Sequence, residues 1–423
     1  MTRQAWDYVY LGGTYPADCA IPEENLAKLR TEFQYWYPVD LRVSGKDLVP
    51  NHLTFFLYTH CAVWGDKQFP KAVRANGHLL LNKAKMSKST GNFMTLADAI
   101  KEFGADMTRF ALADAGDGMD DANFESTTVN AAILRMYTQL EWTQSVLKGE
   151  EATRTGPSTS FHDKVLDSAI NTAINAAHKA FSGMLYRDAL KVGFYDLQNA
   201  RNSYIAFQSP EDEDLNVDLL KRFIEVQALL LSPFCPHYTE EIWELLGKEG
   251  SIMNAAWPVA GDVDDEAIEG CLYIEDLAAS MRAKLNNTKH PKKGKATNPT
   301  KVTITYTDVY PEWQQATLDT LAQLYQEDQE TYENNKEIVG ILKSIDSVKP
   351  HMKKVMTFVS QTKAAVSANG AQALKPVVRF REGEVLGHYT KYLSASIGLP
   401  VEIVCESKAD KAEPKKPFIS YSE

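Results

Sequence analysis

The sequence predicts a multidomain protein in which an α/β part is followed by a helix bundle and a small α/β domain. Its 423 residues exceed the roughly 100–200 of one ordinary domain. β-rich runs alternate with helical patterns over the first 118 residues, and the apolar period becomes purely helical from about residue 119. We therefore expect three domains, at 1–118, 119–260 and 261–423.

The first part has the alternation that a parallel sheet with crossover helices requires. A β-rich run at 37–43 precedes a helical pattern that begins near Pro50 and ends near Trp64. An apolar run then meets Asn76-Gly77, a pair suited to positive φ in a tight turn. We predict a short hairpin there, which leads the chain into the segment after Leu81.

The second part has the period of a helix bundle. Its long helical segments are expected at 127–148, 163–185, 187–207 and 217–232. A last helix should begin at Pro236, where the missing amide hydrogen costs little, and end near Gly247.

Beyond residue 260 the pattern predicts a small α/β domain. We expect a helix to about 286, strands at 301–306 and 401–404, and helices near 312–327 and 350–368. The basic segment 289–295 has the composition of a solvated loop. Contact between this loop and nucleic-acid phosphates is a weaker alternative.

Composition excludes several classes of function. The sequence has 44% hydrophobic and 24% charged residues and no apolar run near 20 residues, so we do not expect a membrane protein. A net charge of −11 argues against a basic coat for DNA, so a nucleic acid would be bound by local patches. Five scattered cysteines predict free thiols and no metal site. The amino terminus lacks a secretory or mitochondrial signal, which favours a cytoplasmic protein.

The most informative segment is KMSKSTGN, which follows Leu81 closely. Lys85 and Lys88 stand three residues apart among hydroxyl side chains, and Gly91 lets the segment bend. Such a loop can fold over a triphosphate and stabilise the negative charge that develops during adenylyl transfer. A solvated lysine-serine loop is the alternative that composition alone favours.

A second candidate element is Gly45-Lys46-Asp47, after the strand that ends at Val43. A glycine at a strand end lets a nucleotide approach the backbone, and Asp47 can accept hydrogen bonds from ribose hydroxyls. His52, at the start of the next helix, is a further candidate. Taken alone, the same residues are equally compatible with a helix cap at Asp47 and a packed histidine at His52.

The order Lys-Met-Ser-Lys-Ser resembles the full signature of class I aminoacyl-tRNA synthetases. In that family the signature lies after the last part of a Rossmann-like nucleotide-binding fold, as it does in the order predicted here. The resemblance implies that Lys85 and Lys88 are catalytic and bind ATP together with Met86, Ser87 and Ser89. It likewise implies that Gly45, Asp47 and His52 bind ATP.

Longer blocks resemble the cytosolic eukaryotic leucyl-tRNA synthetase family. They lie at 33–64, 73–78, 111–117, 233–237 and 252–259. The resemblance implies the C-terminal half of a class I catalytic domain, an anticodon-binding-type helical bundle and a C-terminal extension. It implies ATP-dependent activation of leucine and its transfer to tRNA(Leu), with Mg²⁺ accompanying ATP. Participation in a multi-synthetase assembly through the C-terminal region is a family-level expectation.

No His-x-Gly-His occurs among the nine histidines, although the family's active site uses that element. We therefore expect a C-terminal portion without the first catalytic half or the editing domain. A non-catalytic tRNA-binding or protein-interaction fragment is the alternative function. A class I synthetase for isoleucine, valine or methionine is a third possibility, which the block around Tyr37 disfavours.

Overall fold

A computed structural model describes residues 1–150, 153–207, 215–290, 297–374, 380–406 and 412–422. The chain forms two compact units. The first holds Met1–Glu150, Ala173–Asp196 and Ile224–Pro258, and the second holds the other described residues. No helix in these described ranges is both long and apolar enough to cross a membrane. The three domain ranges proposed from the sequence stay predictions.

Most of the secondary-structure elements are helices. Up to residue 148 they are α1 (Arg3–Tyr10), α2 (Glu23–Trp36), β1 (Leu41–Gly45), α3 (Thr54–Trp64), β2 (Ala72–Asn76), β3 (Leu79–Leu81), β4 (Ala84–Lys85), α4 (Leu96–Phe103), α5 (Ala105–Ala115), β5 (Ala122–Phe124) and α6 (Ser126–Lys148). The next are β6 (Thr153–Arg154), α7 (Phe161–Ser182), α8 (Tyr186–Leu190), α9 (Leu197–Phe207), β7 (Leu215–Asn216), α10 (Val217–Leu231) and α11 (Pro236–Leu245). The last are α12 (Asp265–Lys289), β8 (Lys301–Tyr306), α13 (Glu312–Glu327), α14 (Gln329–Glu333), α15 (Asn335–Lys343), α16 (Met352–Asn369), α17 (Glu382–Ile397), β9 (Val401–Cys405) and β10 (Phe418–Ser422).

Two small sheets position the candidate site in the first unit. β1 and β2 are parallel, with Gly45 opposite Asn76, and α3 lies in the connection between them. Parallel neighbours need such a crossover. In the second sheet β3 pairs with β4 in antiparallel fashion and with β5 in parallel. The α/β character predicted for the first part is confirmed.

The hairpin predicted at Asn76-Gly77 is wrong. β2 and β3 belong to different sheets, and the tight turn is two residues, Asn82 and Lys83, between β3 and β4. Both have positive φ, 49° and 67°. Gly77 is needed for space instead, because an added Cβ would lie 2.0 Å from the carbonyl oxygen of Asp120.

An apolar core lies beneath the second sheet. Leu81, Phe103 and Phe124 are buried together there with side chains of α5, α6 and α8. α5 also fixes the start of α11, where Arg109 donates to the carbonyl oxygens of Pro233 (2.7 Å) and Phe234 (3.0 Å). The predicted helix start at Pro236 is confirmed.

In the second unit, β8 is the central strand of a three-stranded sheet. It pairs in parallel with β9 and in antiparallel fashion with β10, while α12 and α17 share its apolar core. The helices between Glu312 and Asn369 bury a separate apolar cluster around Leu321 and Val359. The predicted small α/β domain is confirmed, and the basic segment 289–295 lies outside the described residues from 291 onward.

A buried polar network also holds the second unit together. Asp163 is fully buried and accepts hydrogen bonds from Arg154 and from the hydroxyl of Tyr204, the latter at 2.6 Å. The Tyr204 oxygen in turn accepts from the backbone N–H of Asn216 at 2.9 Å. Burial raises the pKa of Tyr204, so its proton stays in place to donate to the carboxylate.

We expect Asp163→Ala to lower the free energy of unfolding by about 3 kcal/mol, because it removes the buried carboxylate that pairs with the partly buried Arg154 and leaves the buried Tyr204 hydroxyl without its acceptor. Urea unfolding monitored by circular dichroism measures the change. Lys349→Ala is the control, because its ion pair with Asp346 is solvent-exposed and should contribute less than about 1 kcal/mol. Equal transition midpoints for the two variants would contradict the assigned role.

Candidate functional site

The carboxyl ends of β1 and β2 form the first half of the candidate site. Their parallel register brings the segments after Gly45 and Asn76 side by side. In open parallel sheets this edge is where ligands bind. Gly45 has an ordinary negative φ, −75°. A glycine is therefore useful at this edge because it has no Cβ, and not because of its backbone conformation.

Asp47 projects from a short 3-10 helix, Lys46–Leu48, and its side chain is 58% exposed. Neither this helix nor the π-helical turn Val49–Leu53 has a side-chain cap, so the capping alternative finds no support. The Oδ1 atom of Asp47 lies 4.0 Å from Nε2 of His78. The carboxylate is therefore open to a ligand while one side faces an imidazole.

His52 lies in the π-helical turn and is exposed, so it is not a packed core histidine. Its Nε2 is 3.1 Å from a guanidinium nitrogen of Arg42. Since a guanidinium only donates, this ring nitrogen is the acceptor in that contact. π-helical turns occur frequently at functional sites.

Sequence reasoning missed a polar cluster beside these residues. Lys46 Nζ lies 2.6 Å from Asp121 Oδ1, and that oxygen also accepts from the backbone N–H of His78 at 3.0 Å. The hydrogen bond from Lys46, followed by the one from His78, lowers the pKa of Asp121. His78 follows the end of β2 much as Asp47 follows the end of β1, and that position is the signal that could have indicated it. Asp121 has no comparable signal in the sequence.

The lysine loop, residues 85–92, forms the second half. A hydrogen bond from Ser87 N to Asn92 O at 2.8 Å closes its base. The Ser87 and Ser89 hydroxyls lie 2.8 Å apart at its start, and Gly91 has the positive φ, 72°, of a tight bend. A capping box between Thr95 and Asp98 then starts α4.

The two lysine side chains of the loop are available to a ligand. Lys85 and Lys88 are exposed, and no ion pair within the described part of the chain engages either of them. Met86 is partly buried and packs against the apolar core. The loop therefore presents two cations from an anchored base, an arrangement suited to a polyphosphate.

The two halves of the site are linked through β5. Asp121 immediately precedes β5, which pairs with β3, and β3 leads through β4 into the lysine loop. All the sequence-predicted site residues lie in the first unit. Within the described ranges, no group of three or more His, Cys, Asp or Glu side chains is arranged to hold a metal ion.

Three family models match successive parts of the chain. Class I tRNA synthetases (M) match residues 21–137. The anticodon-binding domain of tRNA ligase matches residues 163–304. The leucine–tRNA ligase RagD-binding domain matches residues 307–379.

Curated relatives agree with these matches. The cytoplasmic leucine–tRNA ligase of Pongo abelii is 44% identical over 97% of this chain and 35% of its own length. That of Arabidopsis thaliana is 38% identical over 99% of this chain and 40% of its own. This chain belongs to the leucine–tRNA ligase family. It spans about a third to two fifths of the length of these two relatives.

One solved structure adds a distant match. Mycobacterium tuberculosis methionyl-tRNA synthetase in complex with methionyl-adenylate aligns over 54% of this chain and 48% of that one. The two are 20% identical, with a TM-score of 0.44.

The close approach of Gly77 to the Asp120 carbonyl generates a test of the site's geometry. We expect Gly77→Ala to push the segment before β5 away from β2 and so break the contact between Lys46 and Asp121. The free energy of unfolding should fall by about 1–3 kcal/mol, as for other overpacked sites. The pKa of Asp121, followed by carboxyl-carbon NMR, should rise toward its ordinary value.

Gly118→Ala is the matched control in the same segment. An added Cβ at Gly118 meets no atom within 4 Å, and its φ is not positive. This variant should keep the low pKa of Asp121. An unchanged Asp121 pKa in folded Gly77→Ala would refute the steric argument.

Proposed function

We propose that this chain is part of a cytoplasmic leucine–tRNA ligase and carries the half of its active site that holds ATP during activation of leucine. The observation that carries the proposal is the lysine loop, in which Lys85 and Lys88 are exposed above a base fixed by hydrogen bonds. The family relationship supports leucine as the amino acid and tRNA(Leu) as the acceptor.

In the first step a carboxylate oxygen of leucine attacks the α-phosphorus of ATP. The bond from that phosphorus to the bridging oxygen breaks, and pyrophosphate leaves with the electron pair. Lys85 and Lys88 stabilise the negative charge that grows on the leaving pyrophosphate. The hydroxyls of Ser87 and Ser89 can donate hydrogen bonds to phosphate oxygens. Mg²⁺ bound to the triphosphate of ATP would neutralise part of its charge.

The strand-end half would seat the adenosine. Gly45 leaves space for the nucleotide against the backbone, and Asp47 accepts hydrogen bonds from the ribose hydroxyls. His52 borders the same edge, and Met86 keeps the loop seated on the core. In the second step a terminal ribose hydroxyl of tRNA(Leu) attacks the leucyl carbonyl carbon and AMP leaves. The match to an anticodon-binding domain supports tRNA contact by residues 163–304.

The test is leucine-dependent exchange of pyrophosphate into ATP, with isoleucine and valine as controls. We expect Lys88→Ala to slow exchange about a hundredfold, the scale on which a charge-stabilising donor acts. Lys101→Ala, an exposed lysine on the neighbouring α4, should leave the rate within about twofold. A folded chain without exchange would refute catalysis by this chain and favour the non-catalytic alternative, which tRNA(Leu) binding then tests.

A second candidate function rests on a different observation. Residues 307–379 match a RagD-binding domain, and the described helices in this range bury their own apolar cluster. We propose that this segment docks a protein partner of the RagD kind. The multi-synthetase assembly expected from the sequence stays a separate prediction. Ile341 on α15 is an apolar side chain left 38% exposed there.

Binding of purified RagD to the chain, measured by calorimetry, tests this second candidate. We expect Ile341→Asp to weaken binding at least about tenfold, because it places a charge in an apolar contact. Val309→Asp, at an exposed position outside the helices, is the comparison. Absence of binding by the unmodified chain would reject this function.

A further inference from the structure

The side chain of Asn92 lies at the base of the lysine loop and reaches three carbonyl oxygens. Its Nδ2 is 3.2 Å from the oxygen of Lys85, 3.3 Å from that of Ala84 and 3.4 Å from that of Leu81. Its own carbonyl accepts from Ser87 N at 2.8 Å. One residue thus ties the end of the loop to its start and to both strands of the hairpin.

The chemistry of these contacts selects an amide. A carboxamide supplies two hydrogens, which three carbonyls at these distances can share, whereas a carboxylate of the same size supplies none. An aspartate here would also set its negative charge against three carbonyl oxygens. The contacts therefore depend on the donors of Asn92 and are not reproduced by its nearest isostere.

An apolar contact holds the other side of the loop's base. Met86 and Met94 are partly buried and pack against the apolar core that contains Leu81 and Phe124. Beyond this point Lys88, Ser89 and Thr90 are exposed. The base is fixed by hydrogen bonds and packing, and the tip is left open to solvent.

We propose that Asn92 is a positioning residue for phosphate binding. It fixes the backbone at Lys85, so that this lysine is presented from a rigid base while Lys88 adjusts to the ligand from the tip. The inference rests on the proposed function, because it assumes that the loop binds the β- and γ-phosphates of ATP. Positioning matters in such a site because small displacements of charged groups lower the rate and affinity steeply.

The experiment compares the affinities of ATP and AMP for the unmodified chain and for Asn92→Asp by calorimetry. We expect the variant to bind ATP about tenfold more weakly, because the base that presents Lys85 loses the hydrogen bonds that fix it. AMP lacks the two outer phosphates, so its affinity should stay within about twofold. A general loss of structure would weaken both nucleotides alike.

Asn82→Asp is the matched control. It adds the same charge in the adjoining β3–β4 turn, and its oxygen can still accept from Ser126 N, as the amide oxygen does now at 3.2 Å. Its ATP affinity should stay within about twofold of the unmodified chain. Asn92→Ala, which removes the donors without adding charge, replaces Asn92→Asp if the latter does not fold.

The outcomes separate the two proposals. If Lys88→Ala weakens ATP binding and folded Asn92→Asp does not, the positioning role is wrong and the proposed function stands. If the unmodified chain binds no ATP, the proposed function fails, and trypsin cleavage after Lys85 and Lys88 decides the structural part. Faster cleavage in Asn92→Asp than in Asn82→Asp would support the clamp at the loop's base, and equal rates would overturn it.

Discussion

The candidate site depends on the ion pair between Lys46 and Asp121, which are 75 residues apart in the chain. It ties the segment after β1 to the start of β5, and the backbone N–H of His78 joins the end of β2 to the same carboxylate. An isolated pair of this exposure contributes little to stability. Its importance is geometric, because it joins the segment after β1 to the start of β5, and β5 pairs with β3, which leads into the lysine loop.

The candidate site residues differ in burial from the residues that support them. Asp47, His52, Lys85 and Lys88 are exposed, whereas the residues that hold their elements in place, such as Leu81, are buried. Functional side chains on exposed connections over a rigid core are a common arrangement. It lets the loop change its contacts while the strands that carry it keep their register.

The elements that the sequence predicts well are those with strong local signals. Helices at the predicted 217–232 and at Pro236 follow from apolar period and proline placement, and both are found. The hairpin at Asn76-Gly77 failed because the same dipeptide serves close packing, and only the neighbouring Asp120 carbonyl distinguishes the two uses. Asp121 could not be predicted, because its role comes from a partner far along the chain. The nucleotide roles of the site residues remain predictions.

The net charge of −11 bears on how the proposed phosphate loop would attract ATP. A triphosphate approaching this protein is repelled at long range, so attraction must come from cations close to its oxygens. Lys83 in the adjoining turn lies 3.4 Å from Glu125, so an anion would have to compete with that pair. Lys85 and Lys88 carry no such pairing within the described residues, and their charge is available without a prior exchange of partners. The loop would therefore distinguish nucleotides by the number of their phosphates. A nucleotide seated at the strand ends must extend far enough to reach the two lysines.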